Sequence, residues 1–318
     1  MGELERERRI GVCEVVLRDG IQGLPDFIAT SDKVDLIGAI HAAGFGELDV
    51  TAFVPSSVVP QFADAAEVIA AVPPGVATRV LAPNRKGVSR VIAAHREIRS
   101  IDFCGIPFSA SEPHNVANLR RTHAEHRAQL QPMIMDLLDC GIQPLVAVAT
   151  AYGCPIAGRV EKDQVLEIAG WLYAQGVRRL MFGDTTGMAD PRRAHDLFVS
   201  AKAEWPDAHL VAHFHDNRGA GIANTLAAIE GGADCVDSSL GGLGGEPSAV
   251  DQGDVGDSGN VATEDLVALL ARLGIDTGVD TKRVLRAGAM LETIMGRPLH
   301  SRVMRAGLIA DQPLRRVV

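Results

Sequence analysis

At 318 residues, with 47% hydrophobic and 22% charged side chains, the chain carries enough apolar material for one large barrel or two smaller domains. A formal charge of -9 excludes a general binder of nucleic acid or of anionic membranes, while an anionic substrate at a locally positive site stays possible. No apolar run is long enough to span a bilayer, and the densely charged start, Met1 to Arg9, lacks a secretory apolar core, so the expected location is the cytoplasm. Cys13, Cys104, Cys140, Cys154 and Cys235 lack zinc-site spacing and read as reduced thiols.

Short apolar runs then alternate with longer amphipathic ones. A first strand over Ile10–Leu17 ends in Arg18-Asp19-Gly20, with Gln22 just beyond, and a helix over Ser31–Ala43 follows. The second strand, Glu47–Thr51, contains Asp49. Strands over Thr78–Leu81 and Ser100–Ile106 come next, the latter leading into Ser109 and Ser111. After a helix over Asn115–Cys140 come the strand Gln143–Val148 and the helix Lys162–Gln175. The strand Arg178–Phe182 runs into Asp184-Thr185-Thr186, followed by the helix Pro191–Glu204. Strand seven, His209–Phe214, carries His213 and is followed by His215-Asp216-Asn217. The helix Gly221–Glu230, the strand Cys235–Ser238, a glycine-rich loop with Glu246 and Asn260, and the helix Thr263–Leu273 complete the series. Eight strands separated by helices predict a (β/α)8 TIM barrel over residues 1–279, with residues 280–318 as a short helical extension packed on it. A doubly wound sheet fits less well. Its nucleotide-binding turn would be G-x-G-x-x-G after the first strand, whereas Gly241-Gly-Leu-Gly-Gly-Glu-Pro247 has another spacing and follows the last.

A barrel builds its active site from the loops that follow its strands, and here nearly every strand ends in polar residues. His213 and His215 stand two apart, so an extended backbone turns both imidazoles to one face, where they can share an ion. An isolated H-x-H is more often an ordinary histidine pair; its place at a strand end among carboxylates favours a metal. Nitrogen and oxygen donors without thiolate fit Mg²⁺ or Mn²⁺, with Zn²⁺ or Co²⁺ as alternatives. Arg18 and Asp19 read either as a structural ion pair or as an oxyanion-stabilising cation beside a metal ligand. Asp49 and Asp184 read either as catalytic carboxylates or as helix caps and hydrogen-bond partners.

Lined up in order, these segments resemble the hydroxymethylglutaryl-CoA lyase family of metal-dependent barrel lyases. The resemblance rests on Glu14-Val-Val-Leu-Arg-Asp-Gly-Ile-Gln22, Asp49-Val-Thr-Ala-Phe-Val54, Ala82-Pro-Asn84, Ser109-Ala-Ser-Glu112, Gly183-Asp-Thr185, His213-Phe-His-Asp216, Val236-Asp-Ser-Ser239, Gly242-Leu-Gly-Gly245 and Ser258-Gly-Asn-Val-Ala-Thr-Glu-Asp265. It implies Asp19, His213, His215 and Asn260 as metal ligands, with Arg18, Asp49 and Asp184 catalytic. Gln22, Ser109 and Thr185 would line the substrate, and a homodimer acting on an acyl-CoA is implied as well. The chain departs from the family in three places. Glu246 replaces the loop cysteine that takes part in proton transfer, and its loop is longer and adds Asp251, Asp254 and Asp257. Asp49 stands where glutamate is usual, and Gly23-Leu-Pro-Asp26 lacks the basic character often found there.

The implied chemistry is retro-Claisen or retro-aldol cleavage of a hydroxyacyl substrate, with Glu246 able to carry the cysteine's proton if burial raises its pKa. The rivals are a condensing enzyme resembling isopropylmalate or homocitrate synthases, which place a glutamate in the comparable loop, and a barrel kept only for binding.

Overall fold

The computed structural model describes residues 9–245 and 259–309. Eight parallel strands close into a barrel in chain order: β1 (Gly11–Glu14), β2 (Glu47–Ala52), β3 (Ala77–Leu81), β4 (Phe103–Ser109), β5 (Gln143–Ala149), β6 (Arg179–Asp184), β7 (His209–Phe214) and β8 (Cys235–Ser238). β1 closes the ring. Its Gly11 to Glu14 pair with Cys235 to Ser238, while Cys13 and Glu14 pair with Glu47 and Leu48. The helices α1 (Thr30–Ala42), α2 (Ala65–Ala70), α3 (Arg85–Glu97), α4 (Glu112–Leu119), α5 (His123–Asp139), α6 (Lys162–Ala174), α7 (Pro191–Glu204), α8 (Gly221–Gly231) and α9 (Thr263–Arg272) follow in turn. Beyond them α10 (Thr281–Met295) packs on α1 and α9, and α11 (Val303–Ala306) is a single short turn.

Alternation along the strands sorts two cores. Outward residues such as Leu48, Val80, Ile106, Val146, Leu180, Leu210 and Val236 join the helix faces in the main apolar layer. A smaller cluster of Cys13, Val15, Leu145, Met181, Val211 and Cys235 is separate from it. On β2, β3, β6, β7 and β8 the positions alternating with the main layer include Glu47, Asp49, Arg79, Arg179, His213 and Asp237. Barrel interiors are ordinarily filled by branched apolar side chains. This one devotes much of its volume to paired charges.

Besides shifts of one or two residues at several element ends, three departures from the sequence expectation are larger. β1 stops at Glu14, because residues Val16–Gly20 wind into one π-helical turn. There Val15 O accepts from the N–H groups of Arg18, Asp19 and Gly20, and Glu14 Oε1 accepts from Val16 N. β4 runs Phe103–Ser109, three residues later than read from the sequence, so Ser109 ends the strand rather than following it. The single helix expected over Asn115–Cys140 is two, broken where Arg120 takes a left-handed conformation at φ 56°. Thr122 then starts α5 with a capping box, its hydroxyl accepting from Glu125 N while the Glu125 carboxylate accepts from Thr122 N. The T-x-x-E spacing was present in the sequence and was the signal for that break.

Candidate active site and metal centre

The π-helical turn is what presents Arg18 and Asp19. Insertions of this kind in otherwise regular backbone occur preferentially at functional sites. Here the turn points two consecutive side chains toward the C-terminal end of the barrel, which an extended strand would have sent to opposite faces. Asp19 is buried at 5% exposure, and its carboxylate is fully engaged. Oδ1 accepts from Arg18 Nη1 and from Gln22 Nε2, the latter at 2.8 Å, and Oδ2 accepts from Asn260 Nδ2 at 2.7 Å.

Opposite it, His213 and His215 hold their Nε2 atoms 3.2 Å apart, and these lie 3.9 and 3.7 Å from Asp19 Oδ2. Among the described residues, one donor atom from each of the three falls within a 4.8 Å span. Two donors about 2.1 Å from one cation and at right angles stand about 3 Å apart, so the spacing suits ligands of a common ion. His213 Nδ1 donates to Asp237 Oδ2 at 3.1 Å, which leaves the Nε2 lone pair facing the cluster. The donor set, two imidazoles and a carboxylate without sulfur, fits a divalent cation of the Mg²⁺ or Mn²⁺ kind, and Zn²⁺ or Co²⁺ less specifically. Asn260 reaches the cluster through its amide, pairing its backbone with His215 across a short bridge and donating from Nδ2 to Asp19 and to Leu243 O. Gly244 makes that approach possible. A Cβ at this position, where φ is +134°, would meet Asn260 Nδ2 at 2.2 Å.

The electrostatics follow from the pairing. Burial alone would raise the Asp19 carboxyl, but Arg18 and the two histidines outweigh it and hold it well below the ordinary carboxylate range. Burial likewise opposes ionisation of Asp237. The Arg79 guanidinium and the His213 hydrogen bond prevail there and bring it down to about 2. Asp184 behaves in the opposite sense: burial raises its pKa even though its carboxylate accepts from Met188 N at 2.7 Å and from Ala189 N at 3.1 Å. That carboxylate also anchors the loop between β6 and α7.

Arg18 Nε donates to Asp49 Oδ2 at 2.8 Å, so one guanidinium bridges Asp49 and Asp19. Gln22, expected against the substrate, donates from Nε2 to Asp19 Oδ1 and to Gly245 O at 3.4 Å. Ser109 Oγ pairs with His114 Nδ1 at 2.7 Å, and the Thr185 hydroxyl accepts from Thr150 N at 2.8 Å. The latter bond steadies an uncommon backbone, because the β-branched Thr150 sits at φ 54° directly after β5. Glu246 lies outside the described residues. Sequence reasoning passed over Asp237, Arg79 and Glu14 as site residues. Glu14 accepts from Val16 N, Leu240 N and the Thr263 hydroxyl, and so ties the π-helical turn to the start of the glycine-rich loop. A charged residue inside a buried parallel strand was the available signal, since such strands otherwise read as apolar runs.

All five cysteines are free, and among the described residues no helix is long and apolar enough to cross a membrane. The HMGL-like family model matches residues 9–291. The chain is 33% identical over 297 residues to the hydroxymethylglutaryl-CoA lyase YngG of Bacillus subtilis, covering 93% of this chain and 96% of that one. It is 35% identical over 301 residues to the mitochondrial hydroxymethylglutaryl-CoA lyase of Bos taurus, covering 94% and 90%. Its fold superposes with a TM-score of 0.89 and 32% identity on an HMG-CoA lyase from Acinetobacter baumannii solved with coenzyme A and 3-methylmalate, over 98% of this chain and 99% of that one. Taken with the barrel and the clustered histidines, these similarities mean that the chain belongs to the HMGL-like family, as a carbon–carbon lyase of the hydroxymethylglutaryl-CoA lyase kind.

Proposed function

We propose that the protein cleaves a 3-hydroxy-3-substituted acyl-CoA to a ketone and a shorter thioester, with a divalent cation held by Asp19, His213, His215 and Asn260. The observation that carries this reading is the convergence of the first three on one point, beside a buried guanidinium, at the C-terminal end of the barrel. The coenzyme A bound to the Acinetobacter relative supports a thioester substrate. Mg²⁺ or Mn²⁺ is the cation the donor set favours, and when bound it supplies Lewis-acid polarisation of substrate oxygens. Five free cysteines fit a reducing compartment such as the cytoplasm, and a homodimer there is part of the same proposal.

The chain's own groups divide the proton traffic. Asp184, whose pKa burial has raised, accepts the proton of the substrate's 3-hydroxyl. The C2–C3 bond then breaks, its electron pair passing to the thioester enolate as the hydroxyl carbon becomes a ketone. Arg18, kept charged by Asp49 and Asp19, balances the enolate's negative charge. Glu246 returns a proton to the enolate carbon. Gly245, the last described residue before it, accepts from Gln22, which also holds Asp19. Gln22, Ser109 and Thr185 act here by fixing Asp19, β4 and β5 around the substrate.

Purified protein with Mn²⁺ or Mg²⁺ is expected to release a shorter acyl-CoA from a panel of 3-hydroxy-3-substituted thioesters and to stop when EDTA is added. Hydroxymethylglutaryl-CoA itself should be a slow substrate that Glu246→Cys cleaves faster, because a carboxyl is larger than a thiol and resists neutrality at pH 7. Failure on every thioester with every cation would end the lyase reading. Equal rates for wild type and Glu246→Cys would end the claim that Glu246 redirects specificity.

A further inference from the structure

Arg79 occupies the middle of β3, a strand that supplies no residue to the mechanism proposed above, and it is 1% exposed. Its Nη1 and Nη2 donate to both oxygens of Asp237, at 3.0 and 2.8 Å. On its other edge, Nε stands 3.3 Å from Asp49 Oδ2, and Nη1 stands 3.6 Å from Glu47 Oε1. Each of the first two carboxylates has a second partner in the site. Asp237 Oδ2 accepts from His213 Nδ1, and Asp49 Oδ2 accepts from Arg18 Nε.

Two lines of contact therefore meet on one guanidinium. One runs from Arg79 through Asp237 to His213, the other through Asp49 to Arg18 and on to Asp19. Simple space-filling does not call for an arginine here, since a buried guanidinium is costly to desolvate and an apolar side chain of similar volume would pack as well. What arginine adds is a planar fork that grips one carboxylate with two parallel bonds while its Nε edge faces another. Asp237, gripped in this way, holds one orientation and one protonation state, and so keeps the His213 ring turned with Nε2 toward the cluster. Asp49, drawn between two arginines, fixes where Arg18 sits.

We infer that Arg79 is a positioning residue of the lyase site, setting the geometry of both His213 and Arg18 from inside the barrel and thereby cation affinity and turnover. The inference rests on the function proposed above. It assigns β3 a part in the site that no residue touching substrate would reveal.

The test compares wild type, Arg79→Lys and the charge-balanced pair Arg79→Met/Asp237→Asn, by Mn²⁺ calorimetry, thermal unfolding and steady-state kinetics on whichever thioester the wild type cleaves. Lysine keeps the charge but loses the fork, and the pair removes the Asp237 grip without stranding a net charge, so a folded variant is available even if one of the two fails. Both folded variants are expected to bind Mn²⁺ about 10- to 100-fold more weakly and to lose a comparable factor in kcat, with KM little changed. Lower unfolding temperature with wild-type Mn²⁺ affinity and kcat in the folded protein would make Arg79 structural only and overturn the inference. Wild-type protein that binds no Mn²⁺ would instead overturn the metal reading on which it rests.

Discussion

Asp19→Asn is expected to remove tight Mn²⁺ binding and to lower turnover by about 10³ or more, with the barrel intact. A ligand's charge is worth several kcal/mol to a bound cation and to the charge that develops in the reaction, and each 1.4 kcal/mol is about tenfold in rate. The substitution is nearly isosteric, so it isolates charge from volume. It also turns one oxygen into an NH₂ group, placing a donor against other donors: Arg18 and Gln22 on one side of the carboxyl, Asn260 on the other. The apolar layers that stabilise the barrel do not include this residue, so the unfolding temperature should move far less than the affinity. Calorimetry with Mn²⁺ beside steady-state kinetics reads both quantities. A folded Asn variant that binds Mn²⁺ as wild type does would remove Asp19 from the ligand set.

The second large effect belongs to Arg18. Arg18→Ala should lower kcat by about 10² to 10³, the usual cost of losing one preorganised group that stabilises an oxyanion. Arg18→Lys should recover only part of the loss, because an ammonium cannot donate to Asp49 and Asp19 in the same fixed plane. Asp184→Ala should also slow turnover, and it additionally frees the backbone of Met188 and Ala189, so its unfolding temperature should fall where that of Arg18→Lys holds. Wild-type turnover in Arg18→Ala would show that the guanidinium serves only as a structural partner of Asp49.

The barrel was legible in the sequence because its signal is repetitive. Eight apolar runs, each followed by a helix, leave few other closures, and β7 and β8 start and end where the pattern put them. The places that misled are those where tertiary contacts override local pattern. Val15, Val16 and Leu17 read as strand, yet they enter or border a π-helical turn because the Glu14 carboxylate and the Val15 carbonyl capture the following N–H groups. His213, His215 and Asp19 stand at or just beyond strand ends, whereas Asn260, far along the loop after β8, was proposed through the family resemblance. Asp237 and Arg79 could not be paired from strand ends, since they sit on strands far apart in the chain and meet only across the closed barrel. Gln22, whose position after the first motif suggested contact with substrate, donates from Nε2 to Asp19 and Gly245.

The charges along the barrel axis carry one more consequence. The ion-paired network joins three guanidiniums, Arg18, Arg79 and Arg179, to four carboxylates, Asp19, Asp49, Asp237 and Glu47. With both histidines neutral it carries a single negative charge, the ionised Asp184 of the proposed mechanism adds a second, and a divalent cation would cancel both. An anionic thioester of the proposed kind would therefore be repelled before the cation is held, and loading would lift that repulsion. Addition should be ordered, cation first and thioester second. A non-cleavable thioester analogue that binds equally well in EDTA and in Mn²⁺ would contradict that order.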